Sequence, residues 1–326
     1  MKSTKNNFSL ERLDKTAAER FVSARAGETK LGQRLASIEE AKYVLFVIAE
    51  SVGPRANHGK SGAENGGEAF LSKLLNMQSN EFLSGESLCV WGTIQMEREE
   101  PHVALYDYVS ELDDFVHDVL TDVINEGQVP IVVGGGHNNA FPLIRFKSQQ
   151  LSQRLTIVNL DAHADYRSLE GRHSGNSFSY AFDEGFIDKY HVFGLHPRYN
   201  SQKIIDDLRK DNHYFTFDTS YLDQEVSYLE DFFALQERFQ KNNSHVGLEL
   251  DMDAIAYMPS SAMTPIGISL HVARQYIRTF GALSNVDYLH LPEAAPKTDR
   301  EAAWVGKALA YLVTDFIEMH GKSLKT

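Results

Sequence analysis

Short runs of apolar and β-branched residues recur along this chain and are separated by longer segments with helical spacing. Most of the runs are continuously apolar and do not alternate with polar residues, which is typical of strands covered on both faces, as in a parallel sheet. The recurrence therefore indicates an α/β fold built around such a sheet. We predict strands at residues 41–49, 87–94, 129–136, 155–160, 189–195, 213–219, 245–250 and 286–291.

The segments between the runs place apolar residues every three or four positions, as amphipathic helices do. The first of these segments, residues 104–127, ends at Gly127, which we expect to cap the helix. Strand and helix alternate without a linker or an internal repeat, so the pattern indicates one doubly wound α/β domain with helices on both faces of the sheet. We predict helices at residues 104–127, 227–242, 270–283 and 301–321.

The start of the chain differs from the rest because it is polar and has few apolar anchors. We therefore predict a peripheral N-terminal arm over residues 1–35, followed by a single domain over residues 36–326.

The composition argues against several classes of partner and site. The net charge is −13 with no basic cluster, so we expect no nucleic-acid or anionic-membrane partner. No run of about 18 apolar residues could span a bilayer, and the first residues lack the apolar core of a signal peptide, so we expect a cytoplasmic protein. Cys89 is the only cysteine, which excludes a disulfide within the chain and a thiolate zinc site.

Acidic and imidazole side chains follow three of the predicted strands, at the point where each strand ends. Residues two apart on an extended chain point the same way, and ligands of open parallel sheets bind beyond the carboxyl ends of the strands. We therefore expect these side chains to converge. They are His137, after three glycines; Asp161, His163 and Asp165, after the strand at 155–160; and Asp251 and Asp253, after the strand at 245–250.

Four carboxylates and two imidazoles are too many for one ion that must leave room for a substrate, and they suit two divalent ions that share carboxylates and a water. The absence of thiolates favours manganese over zinc. Taken singly, each aspartate could instead be a helix cap or a turn residue. Taken together, four uncompensated aspartates behind buried strands would repel one another at a cost of several kcal/mol. We predict a binuclear metal centre.

These motifs resemble those of the arginase family of ureohydrolases. GGGH at 134–137, DAHAD at 161–165 and DMD at 251–253 follow the family order; DAHAD with a downstream D-x-D is specific, whereas GGGH alone is weak. The resemblance extends from about residue 45 to residue 300. It implies a three-layer αβα domain with a mostly parallel sheet of about eight strands, and two Mn²⁺ ions per subunit.

Chemistry makes Asp165 the best candidate to relay a proton to the leaving nitrogen, because a ligand with a free carboxylate oxygen can serve as a general acid. The resemblance implies further individual roles. Glu293 would hold the amidine or guanidine end of the substrate; it could instead be a surface residue beside a proline turn. In the metal centre, His137 and Asp165 would be terminal ligands of one ion, His163 and Asp253 would be terminal on the other, and Asp161 and Asp251 would bridge.

Within the family, the chain resembles the formimidoylglutamase branch, which hydrolyses N-formimino-L-glutamate to L-glutamate and formamide in histidine degradation. The segment VGPRANHGKSGAENGGEAF at 52–70 matches that branch, with Lys60 in place of an arginine. GGGHNNA, RHSGNSFSYA and DMDAIAYMPSSAMTPIGIS also match it. The substrate implied by the resemblance is therefore an amidine with a dicarboxylate tail.

Several positions depart from the family pattern. Gly136 stands where the common G-G-D-H motif has an aspartate that can orient a ligand. Phe178 stands where arginases carry a histidine, so an arginase-like proton shuttle is absent, which counts against arginine as the substrate. In the S-x-D-x-D-x-x-D-P box, Glu249, Ala256 and Tyr257 replace the serine, the last aspartate and the proline.

A dicarboxylate tail requires cationic or amide side chains in the pocket, and arginine offers a bidentate fork for a carboxylate. Candidates lie on the loops that follow the first strand, the DAHAD motif and the fifth strand, although each could simply face solvent. They are Arg55, Asn57, Lys60, Arg167, Asn176 and His196, with Arg172, His173 and Ser174 on the same loop as Asn176.

Other functions stay open. One is a different ureohydrolase, an agmatinase or guanidino-acid hydrolase that releases urea, although a rim rich in arginine and lysine disfavours cationic agmatine. Another is a metal-binding pseudoenzyme or scaffold, which retention of all six ligand positions disfavours. A deacetylase of similar topology fits less well, because such sites hold one zinc with fewer carboxylates. We expect a small-molecule substrate and, by analogy with relatives, a homo-oligomer.

Overall fold

One ten-stranded sheet forms the middle layer of the computed structural model, which describes residues 2–5, 7–97 and 104–324. Its strands run in the order β1-β2-β4-β3-β5-β10-β9-β6-β7-β8. The strands are β1 (Lys2–Lys5), β2 (Phe8–Arg12), β3 (Tyr43–Ala49), β4 (Leu88–Met96), β5 (Val129–Val133), β6 (Leu155–Leu160), β7 (Ile187–Leu195), β8 (Tyr214–Phe217), β9 (Val246–Leu250) and β10 (Val286–Leu291).

The predicted parallel sheet is confirmed. Strands β3 to β10 pair only in parallel with one another, which gives the expected eight parallel strands. Every residue of β5, β6 and β9 is buried. Their continuous apolar runs are explained by this position, because both faces of a central parallel strand are covered.

Helices cover both faces of the sheet. Reciprocal capping boxes fix the start of α9, between Ser227 and Glu230, and of α11, between Thr298 and Glu301. The helices are α1 (Lys15–Glu19), α2 (Val52–Ala56), α3 (Gly66–Leu74), α4 (Leu105–Val123), α5 (Ala140–Leu151), α6 (Ser177–Asp183), α7 (Gln202–Lys210), α8 (Asp218–Leu222), α9 (Tyr228–Asn242), α10 (Leu270–Gly281) and α11 (Asp299–Ser323).

Two hydrophobic cores result, one on each face. Phe70 of α3, Phe280 of α10 and Phe316 of α11 belong to the first core, with side chains from α9. Val116 of α4 and Ile144 of α5 belong to the second, with side chains from α6. The architecture is therefore the expected three-layer αβα arrangement. Within the described part of the chain, none of the helices has the length and apolarity of a membrane span.

Two local features differ from the sequence predictions. Helix α4 ends at Val123, and Gly127 adopts its positive φ of 80° in the turn that precedes β5, so Gly127 does not cap the helix. The segment predicted as an N-terminal arm contributes β1 and β2, and β2 pairs antiparallel with β4. Phe8 and Leu10 of β2 are buried, so part of this arm is an edge of the sheet. The boundary at residue 35 stays a prediction.

The strand order determines where the chemistry can lie. Strands β5, β10, β9 and β6 are consecutive neighbours in the sheet, although β5 and β6 are joined along the chain through α5 and the other two strands come much later. Because all four are parallel, the loops that follow them leave from one edge. The residues after these strands are therefore brought together.

We predict that acid weakens the fold because buried histidines must stay neutral. Burial lowers the pKa of His191, on β7, to about 3, whereas the unfolded chain protonates this ring near the ordinary value of about 6.5. A depressed folded pKa gives stability that is present above the unfolded value and is lost as pH falls. When pH is lowered from about 7.5 to about 5.5, the free energy of unfolding should fall by about 1 kcal/mol less in His191→Phe than in the original chain. Urea unfolding at the two pH values measures this difference.

The control is His271→Gln, an exposed histidine on α10, which should follow the original protein at both pH values. If His191→Phe lost as much stability on acidification as the unchanged chain, the buried ring would not be a source of the acid sensitivity.

Candidate metal centre and substrate cleft

All six predicted metal ligands lie together at the carboxyl ends of β5, β6 and β9. The first group surrounds one imidazole nitrogen: His137 Nδ1 lies 2.9 Å from Asp165 Oδ2, 2.9 Å from Asp251 Oδ2 and 3.3 Å from Asp161 Oδ2. These four side chains offer ligand atoms that all lie within 4.8 Å of one another. Such a group of three carboxylates and an imidazole can hold a divalent cation.

A second group adjoins the first. His163 Nδ1 lies 3.2 Å from Asp253 Oδ2 and 3.7 Å from Asp161 Oδ1, and the three side chains again offer atoms within 4.8 Å of one another. Asp161 belongs to both groups, one oxygen to each, as a bridging ligand would. Asp251 belongs to the first group only, and its bridging role stays a prediction.

Local hydrogen bonds explain the spacing of two residues between ligands. The Asp161 carboxylate accepts from the backbone N–H of His163 at 2.7 Å, and the Asp251 carboxylate accepts from the N–H of Asp253 at 2.7 Å. Each aspartate therefore turns the chain that follows its strand, so that the next ligand faces the same space. Asn200 supports this turn from outside, since its side-chain oxygen accepts from the N–H of Ala164 at 2.9 Å.

The electrostatics of the centre favour cations. Burial raises the pKa of Asp251 well above its ordinary value, and the charges of Asp253 and Asp161 raise it further. Burial likewise raises the pKa of Asp165 to about 6. One oxygen of Asp253 is buried without a hydrogen-bond partner in the described part of the chain. Divalent ions relieve such like-charge repulsion, and a donor set of carboxylates and imidazoles fits them.

The loop that carries His137 is held by Glu50, a residue that the sequence analysis missed. Glu50 follows β3 and is buried. Its carboxylate accepts from the N–H of Gly136 at 2.7 Å, the side-chain amide of Asn139 at 2.8 Å and the N–H of Val52 at 2.6 Å. The sequence offered one signal for this role: Glu50 is a charged residue directly after a buried strand.

The Gly136 departure has a steric explanation. A Cβ atom added at Gly136 would lie inside van der Waals contact of the Pro54 ring and of the Asn138 side chain. The loop therefore has no space for the aspartate of the family pattern. Phe178 is fully buried, edge-on to His137 at 5.2 Å and stacked on Tyr190 at 4.3 Å, so its role is to pack against a predicted ligand.

Glu293 is buried and faces the centre, which excludes the surface alternative. One carboxylate oxygen accepts from the N–H of His137 at 2.9 Å, and the other accepts from the hydroxyl of Ser261. Burial raises the pKa of Glu293 to about 8. Glu293 and Asp165 have φ angles of 69° and 44°. Left-handed backbone is unusual for such residues and clusters at functional sites.

A cleft of about 230 Å³ opens above the centre. Two of the six predicted substrate residues, Asn57 and Arg167, line it, whereas Arg55 and Lys60 line an adjoining depression. A third, outer depression is lined by both Lys60 and Lys297. Further lining residues of the cleft are His163, Asp165, Tyr199, Asn200, Asp251, Asp253, Ser261 and Glu293.

The predictions for Asn176 and His196 as substrate contacts are corrected by the structure. Asn176 is fully buried; its amide accepts from Arg172 at 2.6 Å and donates to the carbonyl of Gly171 at 2.7 Å, so it shapes the loop from within. His196 is buried under Tyr199, whose ring stacks on it at 4.9 Å. Neither side chain lines the cleft.

Sequence reasoning also missed Tyr199, Ser261 and Lys297. Tyr199 stacks on His163 at 5.3 Å, Ser261 donates to Glu293, and Lys297 faces the outer depression. Ser261 lies within the matched run at 251–269, but no pattern singles out any of the three residues, so only the fold reveals their position.

Comparison with known proteins identifies the relationship. The model of the arginase family matches residues 46–317 of the chain. A formimidoylglutamase from Geobacillus thermodenitrificans is 25% identical over 288 residues, which cover 84% of this chain and 82% of that relative.

Solved structures share the fold. A formiminoglutamase from Trypanosoma cruzi, in a structure with Mn²⁺, has a TM-score of 0.71 at 21% identity and covers 89% of this chain and 98% of its own. The formimidoylglutamase of Bacillus subtilis has a TM-score of 0.76 at 17% identity and covers 93% and 94%. At these identities the structural similarity shows the fold alone.

We predict that Glu50→Gln loosens the loop that carries His137. The glutamine amide would turn a hydrogen-bond donor toward N–H groups that now donate to the carboxylate. The resulting unpaired donors should destabilise the fold by about 1–3 kcal/mol. The displaced imidazole should also bind metal more weakly. Thermal unfolding and the metal content after dialysis are the two measurements.

The matched control is Asp231→Asn, which alters another buried carboxylate, on α9. This carboxylate accepts from Tyr214 and Thr216 of β8 and from Tyr221 of α8. It should lose stability and retain metal. Equal metal retention by the two variants would show that Glu50 does not position the loop for metal binding.

Proposed function

Because the chain belongs to the arginase family, we propose that it is a metal-dependent hydrolase that converts N-formimino-L-glutamate and water to L-glutamate and formamide. The observation that carries the proposal is the convergence of all six motif side chains into two adjoining ligand groups. Relatives named formimidoylglutamase that match over most of the chain support the choice of substrate.

We propose two Mn²⁺ ions per subunit, with His137, Asp165, His163 and Asp253 as terminal ligands and Asp161 and Asp251 as bridges. The donors are oxygen-rich and include no thiolate, which suits manganese. The Trypanosoma cruzi neighbour with Mn²⁺ supports the same metal. When bound, a pair of such ions lowers the pKa of a shared water enough to supply hydroxide at neutral pH.

The side chains around the centre have separate tasks in this proposal. Glu293 pairs as a carboxylate with the cationic amidine, whose positive charge favours the ionised form that burial alone disfavours. This pairing holds the reacting carbon in place and keeps that carbon electron-poor. The buried position of Glu293 excludes water from this ion pair and so strengthens it. Asp165 lines the cleft and carries a proton to the glutamate nitrogen as the C–N bond breaks.

The rim favours an anionic substrate tail. Arg167 and Asn57 line the cleft, and Lys60 and Lys297 line the depression outside it. Arg167 is half exposed and pairs with Glu170 at 2.8 Å, so a substrate carboxylate would have to share this guanidinium with Glu170 or displace it. Cationic agmatine would meet repulsion at this rim, and Phe178 removes the arginase-like shuttle. We therefore favour formiminoglutamate over agmatine and arginine. Guanidino acids also have an anionic tail, and against them the choice is supported by the relatives named formimidoylglutamase.

The net charge of −13 and the small cleft support a small-molecule substrate and no nucleic-acid or membrane partner. A cytoplasmic location and a homo-oligomeric state belong to the same proposal, by analogy with the family.

The deciding experiment incubates manganese-reconstituted protein with formiminoglutamate, arginine, agmatine and guanidinobutyrate, and measures formamide, urea and ammonia separately. We expect formamide from formiminoglutamate alone, loss of turnover after chelation and recovery with Mn²⁺. Urea from a guanidino substrate would assign a different ureohydrolase. Metal binding without any turnover would indicate a pseudoenzyme.

We predict that Glu293→Gln lowers kcat/KM for formiminoglutamate by about 10²–10³-fold, because the variant loses the charge that faces the amidine. Glu293 is not among the proposed ligands, so manganese content should stay at the original value. Steady-state kinetics and metal analysis of the same preparation test both statements. A variant with unchanged kcat/KM would remove Glu293 from substrate binding.

A further inference from the structure

Glu249, on β9, is a buried carboxylate directly beneath the metal centre. Its neighbours Leu248 and Leu250 point into the first hydrophobic core, and Glu249 points to the opposite face of the sheet. Its side chain is completely inaccessible to solvent. No lysine or arginine of the described residues pairs with it. A buried carboxylate without a cationic partner is costly unless its oxygens are hydrogen-bonded or a nearby cation compensates it.

Two neighbours on β10 hold this carboxylate in one orientation. The hydroxyl of Tyr288 donates to one oxygen at 2.7 Å, and Nδ1 of His290, the residue paired with Glu249 in the sheet, lies 2.7 Å from the other. The backbone carbonyl of Glu249 also accepts from the hydroxyl of Tyr276 at 2.9 Å. These groups leave the second oxygen with room for one more donor.

The remaining donor is the far side of His137. Its Nδ1 faces the aspartates of the centre, and its Nε2 lies 3.4 Å from Glu249 Oε2. This nitrogen is buried and makes no hydrogen bond within the described residues, so the Glu249 oxygen at 3.4 Å is an acceptor within reach and not yet a bonded partner. The imidazole therefore lies between the metal-binding aspartates on one side and the Glu249 carboxylate on the other.

We propose that Glu249 is a positioning residue for the metal centre: it accepts the Nε2 proton of His137 and so keeps Nδ1 free and directed at the ion. Metal-bound histidines usually donate their second N–H to such an acceptor, which fixes the tautomer and the ring orientation. The inference rests on the proposed function only in requiring that the centre holds a metal. The proposal also explains why Glu249 stands where the S-x-D-x-D-x-x-D-P pattern of the family has a serine. In this chain Gly136 replaces the aspartate of the G-G-D-H motif, so the acceptor that this aspartate could offer is absent.

The test is a Mn²⁺ titration of the full chain after metal removal, by calorimetry and by EPR of free Mn²⁺, without substrate. We expect the original protein to bind two ions and Glu249→Gln to bind one of them about 10–100-fold more weakly. Unfolding of the metal-free variant should be little changed, because the Tyr288 hydroxyl and the His290 imidazole can each turn from donor to acceptor toward the new amide, which the backbone N–H groups around Glu50 cannot do.

The matched control is Asp315→Asn, which alters a buried carboxylate on α11 that pairs with Arg274 and Arg278 away from the centre. It should leave Mn²⁺ affinity unchanged. Tyr288→Phe is the second variant. It retains the Glu249 charge but frees one oxygen, so its loss of Mn²⁺ affinity should be smaller, and it keeps the test usable if Glu249→Gln does not fold.

The outcomes separate the proposals. Unchanged affinity in Glu249→Gln, or a loss of metal-free stability without a loss of affinity, would assign Glu249 a purely structural role and leave the proposed reaction intact. If the original protein bound two ions but did not hydrolyse formiminoglutamate, the proposed reaction would be overturned. The role of Glu249 would then still be decided by the Mn²⁺ titration of its variant. A protein that binds no Mn²⁺ at all would overturn both.

Discussion

Like charges brought together at one edge of the sheet are the constraint on which the rest of this structure depends. Four aspartates follow two buried strands, β6 and β9, and are themselves mostly inaccessible to water. Burial opposes their ionisation, and proximity opposes it further. The fold tolerates this arrangement because two imidazoles lie among the carboxylates and because divalent cations can be accommodated there.

His137 shows how strongly the surroundings are organised for that purpose. Its N–H is held by Glu293, its carbonyl accepts from Ser177 at 2.7 Å, and its ring is packed edge-on by Phe178. Glu50 fixes the residue before it. These contacts come from the residues after β3 and β10 and from the start of α6, so the position of one imidazole couples the ends of β3, β5 and β10 with α6. Preorganisation of this kind is what a metal-dependent hydrolase requires.

Sequence patterns predicted the strands and the six candidate ligand positions that the fold brings together, but they did not predict the surroundings of those residues. Continuous apolar runs identified all eight parallel strands, because central strands such as β5 and β6 are buried on both faces. The N-terminal strands escaped prediction because they are short and polar, with burial only at positions such as Phe8. Asn176 was misassigned because an exposed amide and a buried loop amide look alike in sequence. Strand order, which makes β5 and β9 close neighbours, depends on long-range packing that no local pattern encodes.

The left-handed backbone at Asp165 and Glu293 has a consequence for stability. Such a conformation costs about 1–3 kcal/mol for a residue other than glycine, and glycine or asparagine would adopt it more easily. Glycine or asparagine at either position would therefore relieve backbone strain and at the same time remove a carboxylate from the cleft. Thermal robustness and this chemistry thus make opposing demands on the same two residues.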